Sequence, residues 1–361
     1  MTSTDLPAPT WGGTELVPAT DVPQSRKDFA SDQEVRWCPG CGDYAVLSAV
    51  QGFLPELGLR RENIVFVSGI GCSSRFPYYL STYGLHSIHG RAPAIATGLA
   101  IARDDLSVWV VTGDGDALSI GGNHLIHALR RNVNITILLF NNRIYGLTKG
   151  QYSPTSEAGK VTKSTPLGSL DHPLNPVSLA LGAEATFVAR TIDSDRQHLT
   201  EVLRAAAAHR GTSLVEIYQN CPIFNDDAFA PLKDRDSAQD TIIPLVHGRP
   251  VRFGPLDGAG VPQLGLFLSP SGAVEVRAVT AENESEVIVH DAHAPDPTLA
   301  FGISRLTSFG DVTRAPIGIF RQVARPVYDD QSRGQVAGEI DTHGAGEFQA
   351  LIDGKDHWHV R

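Results

Sequence analysis

The sequence has little cysteine, four residues in 361, and no apolar run long enough to cross a bilayer. Stretches such as Ile135–Phe140 fall far short of the ~20 residues a spanning helix needs, so no membrane role is expected. It also lacks an excess of basic charge. Thirty Lys and Arg against forty Asp and Glu leave a net charge of −10, which argues against phosphate-backbone binding and makes nucleic acid a poor partner. The N-terminus lacks a basic stretch followed by an apolar one, so nothing marks it for secretion and a cytoplasmic location is expected. In that reducing compartment an even set of four thiols points to a metal site before a pair of disulfides.

What is present is an ordinary soluble composition, 42% hydrophobic, in a chain long enough for two domains or one domain with an appendage. Residues 1–24 are rich in Pro, Thr and Asp and are expected to form a mobile arm. Over residues 25–234 short apolar strands alternate with helices. Ala45–Leu54 reads as a helix ending at Pro55, Ile64–Ser68 as a strand and Ala92–Ala102 as a helix. Ser107–Thr112 and Ile135–Phe140 read as further strands with the helix Gly121–Arg131 between them, and Pro176–Leu181, Thr186–Arg190, Leu199–Ala208 and Ser213–Tyr218 continue the alternation. Strands separated by helices imply βαβ units, and continuously apolar strands imply burial on both faces of a parallel sheet. The expected fold is therefore α/β, an open parallel sheet with helices on both faces. In residues 235–361 Gly and Pro rise and the alternation is lost, so this part is expected to be an irregular α+β extension with strand-like pieces at Pro262–Leu268 and Ser285–Val289.

The sharpest local signal is Thr112-Gly113-Asp114-Gly115-Asp116 directly after a strand, followed about 25 residues later by Asn141-Asn142-Arg143-Ile144-Tyr145-Gly146 directly after the next. Both fall at the carboxyl ends of parallel strands, where open α/β sheets bind ligands. Glycines let backbone N–H groups approach a diphosphate closely. Asp114 offers an anionic oxygen and Asn142 a neutral one, the hard ligands that Mg²⁺ takes alongside phosphate oxygens. Either segment alone would read as a common turn. A dinucleotide site would require G-x-G-x-x-G opening a helix with an acid about 20 residues on, and no such arrangement occurs.

The cysteines fall in three places. Cys38 and Cys41 form a C-x-x-C knuckle, Cys72 follows the strand Ile64–Ser68, and Cys221 follows the strand Ser213–Tyr218. Two of the four therefore belong to the sheet edge that carries the diphosphate signal. Four thiolates suit Zn²⁺ or an iron–sulfur cluster. Structural zinc sites usually pair two close knuckles, whereas one knuckle joined by distant single cysteines favours a [4Fe–4S] cluster.

These motifs carry a resemblance. GDG followed by Asn-Asn resembles the thiamine diphosphate signature, in which Asp114, Asn142 and the carbonyl of Ile144 would hold Mg²⁺. The ordered run CPGCGDY, GIGCSS, HGRAPAIATGLA, GDGD, NNRIYGLTKGQYSPT and NCPIFN, over about residues 36–226, resembles the β subunit of 2-oxoacid:ferredoxin oxidoreductases. The resemblance implies that Cys38, Cys41, Cys72 and Cys221 ligate one [4Fe–4S] cluster. It implies thiamine diphosphate contacts at Ile70, Gly71, Cys72, Ser73, His89, Gly113, Gly115, Asp116, Gly146 and Leu147. It further implies oxidative decarboxylation of a 2-oxoacid with coenzyme A, and electron transfer to ferredoxin.

The run YGLTKGQ is more like members that handle 2-oxoglutarate than those of the pyruvate type. Lys149 within it, and Arg75 three residues past Cys72, are candidates to meet substrate carboxylates. The glutamate that faces the cofactor's aminopyrimidine comes from a separate α subunit in this family, so the chain is expected to work in an αβ or (αβ)₂ assembly. The competing readings are a pyruvate or other 2-oxoacid:ferredoxin oxidoreductase, a non-oxidative thiamine-dependent decarboxylase subunit, and a zinc-stapled scaffold without catalysis.

Overall fold

The computed structural model describes residues 12–310, 312–358 and 360. Its strands are β1 (Ile64–Ser68), β2 (Tyr83–His86), β3 (Ser107–Gly113), β4 (Thr136–Asn141), β5 (Ile144–Tyr145), β6 (Gln151–Tyr152), β7 (Phe187–Ile192), β8 (Ser213–Tyr218), β9 (Ile242–Leu245), β10 (Arg252–Leu256), β11 (Pro262–Leu268), β12 (Val274–Ala278) and β13 (Ala315–Gln322). Eight of them form one sheet in the order β2-β1-β3-β4-β8-β7-β13-β9. From β2 to β7 every pair is parallel; β13 runs antiparallel to β7, and β9 lies parallel to β13.

The strands of this sheet's centre are buried from end to end because both faces are covered. Alternation directs neighbouring residues to opposite layers. Val65, Val67, Val108, Val110, Ile137 and Leu139 face the helices Ala92–Ala102, Gly122–Arg131 and Pro176–Gly182. Ile64, Phe66, Trp109, Val111, Leu138 and Phe140 face Asp43–Phe53 and Arg196–Ala208. Trp109 stacks on Phe66 at 5.7 Å in this second layer. Truncating so large a buried ring costs ~3–5 kcal/mol in transfer and cavity terms.

Of the arm expected over residues 1–24, residues 1–11 lie outside the described residues. Residues 12–24 are anchored, not free. Gly13 N donates to Ala208 O at 2.9 Å, Thr20 N donates to Gly58 O at 2.8 Å, and Val17 is buried. The extension after residue 235 is more integral than its composition suggests. It supplies β9 and β13 to the main sheet, and β10, β11 and β12 pack as a separate antiparallel sheet. Pro262–Leu268 is a strand as expected, but Ser285–Val289 is not. A 3-10 turn occupies Glu284–Glu286, and only Val289 makes an isolated bridge, to Pro250.

Candidate active site

Loops at the carboxyl ends of β1, β3 and β4 surround a cleft of about 180 Å³. Ile70, Gly71, Cys72 and Ser73 come from the first loop, Gly113 to Asp116 from the second, and Asn142 and Ile144 to Leu147 from the third. His89 closes one side. Every residue expected to contact the cofactor or Mg²⁺ thus lines one cavity. Asp114 starts a short helix, Asp114–Leu118, that the sequence does not announce. Gly115 is required there: a Cβ would run into the ring of Tyr145, whose hydroxyl donates to Gly115 O at 3.0 Å.

Asp114 is buried, and its Oδ2 accepts from Ser153 Oγ at 2.5 Å and Thr155 Oγ1 at 2.6 Å. Burial pushes its carboxyl up to about 6, against the lowering pull of those two hydroxyls. A buried carboxylate held by neutral donors is a receptive partner for a divalent cation. Asn142 offers its amide oxygen on the same side of the sheet edge. That oxygen already accepts from Ile144 N at 3.2 Å, so the amide nitrogen points the other way, to Gln219 Oε1 at 2.9 Å.

Asp116 acts differently from its neighbour. Its Oδ1 accepts from Ile70 N at 3.1 Å and Gly90 N at 2.7 Å, and lies 2.5 Å from His89 Nδ1. Its Oδ2 accepts from Thr112 Oγ1 at 2.7 Å. This carboxylate fastens two cleft loops to the end of β3 and has little capacity left for a ligand.

Hydrogen bonds tie the cysteine knuckle over the same edge. Trp37 Nε1 donates to Cys72 O at 2.7 Å, and Gly42 N donates to Asn220 O at 3.1 Å. Cys72 and Cys221 flank Gly146, where a Cβ would sit 3.5 Å and 3.6 Å from their sulfurs. Burial, then the neighbouring Asp43 carboxylate and Cys221, push the Cys72 thiol up to about 12. Burial and Asp43 push the Cys41 thiol up as well. Neutral thiols are the favoured state here until a positive centre compensates thiolate charge. Among the described residues, no three His, Cys, Asp or Glu side chains converge at the spacing of a single bound ion.

Residues 69–217 match the family model of thiamine pyrophosphate enzymes, C-terminal TPP binding domain. Over 346 residues the chain is 65% identical to a 2-oxoglutarate oxidoreductase subunit KorB of Mycobacterium tuberculosis, covering 95% of this chain and 91% of that one. It belongs to the β subunits of the 2-oxoacid:ferredoxin oxidoreductases. Another member, subunit beta of 2-oxoacid:ferredoxin oxidoreductase 2 from Aeropyrum pernix, is 45% identical over 199 residues, 55% of this chain and 64% of that one. Among solved structures, a 2-oxoglutarate:ferredoxin oxidoreductase from Magnetococcus marinus, with 2-oxoglutarate, coenzyme A and succinyl-CoA bound, matches with a TM-score of 0.71 at 32% identity, over 93% of this chain and 98% of that one.

For this β subunit, thiamine diphosphate is therefore the cofactor, and residues 69–217 contain most of the cleft's lining. Two expected site residues stand apart from it. Lys149 is exposed at the tip of the β5–β6 hairpin with φ 75°, and Arg75 lies beside Cys72 with its guanidinium donating to Arg36 O at 3.4 Å. Neither lines the cavity of the isolated chain. Three further side chains, Ser153, Thr155 and Gln219, touch these site residues and are not among the expected ones. The first two follow the Asn-Asn loop in a run of hydroxyl residues, which was a usable hint; Gln219 precedes Asn220-Cys221 with no local signal of its own.

Proposed function

We propose that the chain is the cofactor-binding half of an enzyme that oxidatively decarboxylates 2-oxoglutarate with coenzyme A, giving succinyl-CoA and CO₂ and passing electrons through a [4Fe–4S] cluster to ferredoxin. The observation that carries the reading is the meeting of two ligand sets on one sheet edge: Asp114 and Asn142 on one side of Gly146, and Cys72 and Cys221 against it. The names of the relatives, which include 2-oxoglutarate and ferredoxin, and the ligands of the similar solved structure support the substrate and acceptor.

Both metal groups fit the residues present. Asp114, Asn142 and the Ile144 carbonyl would hold Mg²⁺, because the Asp114 carboxyl is buried and is met by the neutral hydroxyls of Ser153 and Thr155. Cys38, Cys41, Cys72 and Cys221 would hold the cluster, because the missing side chain at Gly146 keeps space beside two of the sulfurs. Bound thiamine diphosphate supplies the chemistry that releases CO₂ from a 2-oxoacid and makes the remaining fragment oxidisable. The chain's own part is to bind and orient: Asp116 fixes the loops of Ile70 and Gly90, and His89 presents its remaining ring nitrogen to the cleft. Lys149 and Arg75 meet substrate carboxylates once a partner subunit closes over the edge. As the resemblance to this family implies, the carboxylate for the aminopyrimidine comes from an α subunit, and the chain works in an (αβ)₂ assembly in the cytoplasm; its naming as a β subunit among its relatives supports the partner.

The test is anaerobic purification with an α subunit, quantification of iron, sulfide and zinc, and an EPR spectrum after dithionite. About four irons and four sulfides per β chain, with a reduced-cluster signal, are expected. Zinc without iron would remove the electron path and turn the reading to a non-oxidative decarboxylase.

A further inference from the structure

The thiolate site and the cation site are joined by one side chain. Gln219 is 1% exposed, and its position is set by the sheet, since its backbone N–H continues the β4–β8 pairing by donating to Asn141 O at 3.0 Å. Its Nε2 lies 3.3 Å from Cys41 Sγ, and its Oε1 accepts from Asn142 Nδ2 at 2.9 Å. Backbone groups of fixed polarity determine both amide orientations. The carbonyl of Asn220 also receives Gln219 Nε2, and a carbonyl can only accept, so the nitrogen end faces Cys41. The N–H of Ile144 points at Asn142 Oδ1, and an N–H can only donate, so the nitrogen end of Asn142 faces Gln219.

We propose that Gln219 is a positioning residue that couples the two metal sites. Its N–H withdraws charge from the Cys41 sulfur, and its carbonyl locks the Asn142 amide with Oδ1 turned to the cation. The inference rests on the reading above that the thiolates hold a cluster and that Asp114 and Asn142 hold Mg²⁺. Hydrogen bonds to ligating sulfur raise the reduction potential of a cluster, because they stabilise the more electron-rich state. Outer-shell partners of ligands set the ligand's orientation and with it the metal affinity. One buried carboxamide performs both tasks here, so a change at Cys41 that displaces it also releases Asn142.

Two substitutions separate the tasks. Gln219→Leu removes both contacts at similar volume. Gln219→Glu removes the N–H but keeps an oxygen to accept from Asn142. Each is made in the αβ holoenzyme, purified anaerobically, and read in two ways: the cluster midpoint potential by EPR-monitored titration, and the Mg²⁺ concentration that half-restores thiamine diphosphate binding to metal-stripped enzyme, followed by circular dichroism. We expect a lower potential in both variants. The Mg²⁺ requirement should rise about tenfold in Gln219→Leu, the worth of a buried hydrogen bond, and stay close to wild type in Gln219→Glu. A wild-type potential in Gln219→Leu, or equal Mg²⁺ requirements in the two variants, overturns the proposal. If Gln219→Leu does not retain iron, the wild-type enzyme decides: with glutamine labelled by ¹⁵N in the side chain, the reduced cluster should show a ¹⁵N hyperfine coupling, and its absence overturns the proposal. Wild-type enzyme without iron would instead refute the underlying reading.

Discussion

His89 Nδ1 lies 2.5 Å from Asp116 Oδ1, and that one contact holds the ring at the wall of the cleft. Asp116 also gathers the N–H groups of Ile70 and Gly90, so it carries more of the fold than His89 does. An asparagine there would turn an NH₂ group toward donors. Asp116→Asn should lower stability by about 2–3 kcal/mol in urea unfolding and weaken thiamine diphosphate binding. His89→Gln should weaken cofactor binding while keeping stability within about 0.5 kcal/mol, since the ring is partly exposed. Equal stability losses would show that the two residues do not divide these tasks.

A second expectation concerns the buried ion pair near the proposed cation site. Arg190 Nε meets Glu216 Oε2 at 2.7 Å, and Glu216 Oε1 accepts from Asn141 Nδ2 at 2.7 Å, next to Asn142. Both side chains are essentially inaccessible to water. Arg190→Met should cost about 3–5 kcal/mol by stranding the carboxylate. The double change Arg190→Met with Glu216→Leu should recover most of that loss, because no charge then remains buried. A denaturation cycle over the four proteins measures this, and additive losses would contradict it.

The pH dependence of stability should carry the mark of His209. Burial pushes its imidazole down to about 4. Its Nε2 lies 2.8 Å from Thr186 Oγ1, whose own proton goes to Asn132 Oδ1 at 2.6 Å, so the ring is a neutral donor in the folded chain. The unfolded imidazole takes a proton below its ordinary value of ~6.5, and the folded one does not until about 4. Stability is therefore fully present above pH ~6.5 and falls as pH drops toward 4, by about 2 kcal/mol between pH 7 and pH 5. Urea unfolding at those two pH values should show the loss in wild type and a smaller one in His209→Gln.

Lys149 gives a prediction about substrate preference. In the αβ enzyme Lys149→Ala should lower kcat/KM for 2-oxoglutarate about tenfold or more while leaving pyruvate turnover unchanged. An unaltered ratio between the two substrates would remove Lys149 from substrate selection.

Much of this was legible in the chain because it is local. The runs of β1, β3 and β4 are nearly continuous in apolar residues and that of β8 is broken by Glu216, a pattern that double-sided burial explains, and GDG and Asn-Asn stand directly at strand ends. Cys72 and Cys221 could be placed on one edge for the same reason. The parts that escaped depend on distant partners. β13 contains Pro316 and Gly318 and pairs with residues 187–190, well over a hundred positions earlier, so no local pattern marks it as a strand. Ser285–Val289 has strand-like residues but no continuous partner to pair with. Gln219 is an ordinary glutamine until β4 and β8 bring Asn142 beside it and the knuckle brings Cys41.

The antiparallel pairing of β13 on β7 also bears on how the chain is made. During synthesis the outer edge of β7 is complete at residue 192 and remains bare until residue 322 has emerged. In that interval it offers a row of unpaired N–H and C=O groups to any passing strand. The finished sheet ends instead on the four-residue β9, whose exposed Pro244 has no N–H to give. The extension thus works as an edge guard, and a chain cut near residue 234 is expected to accumulate as aggregate rather than as a smaller soluble enzyme.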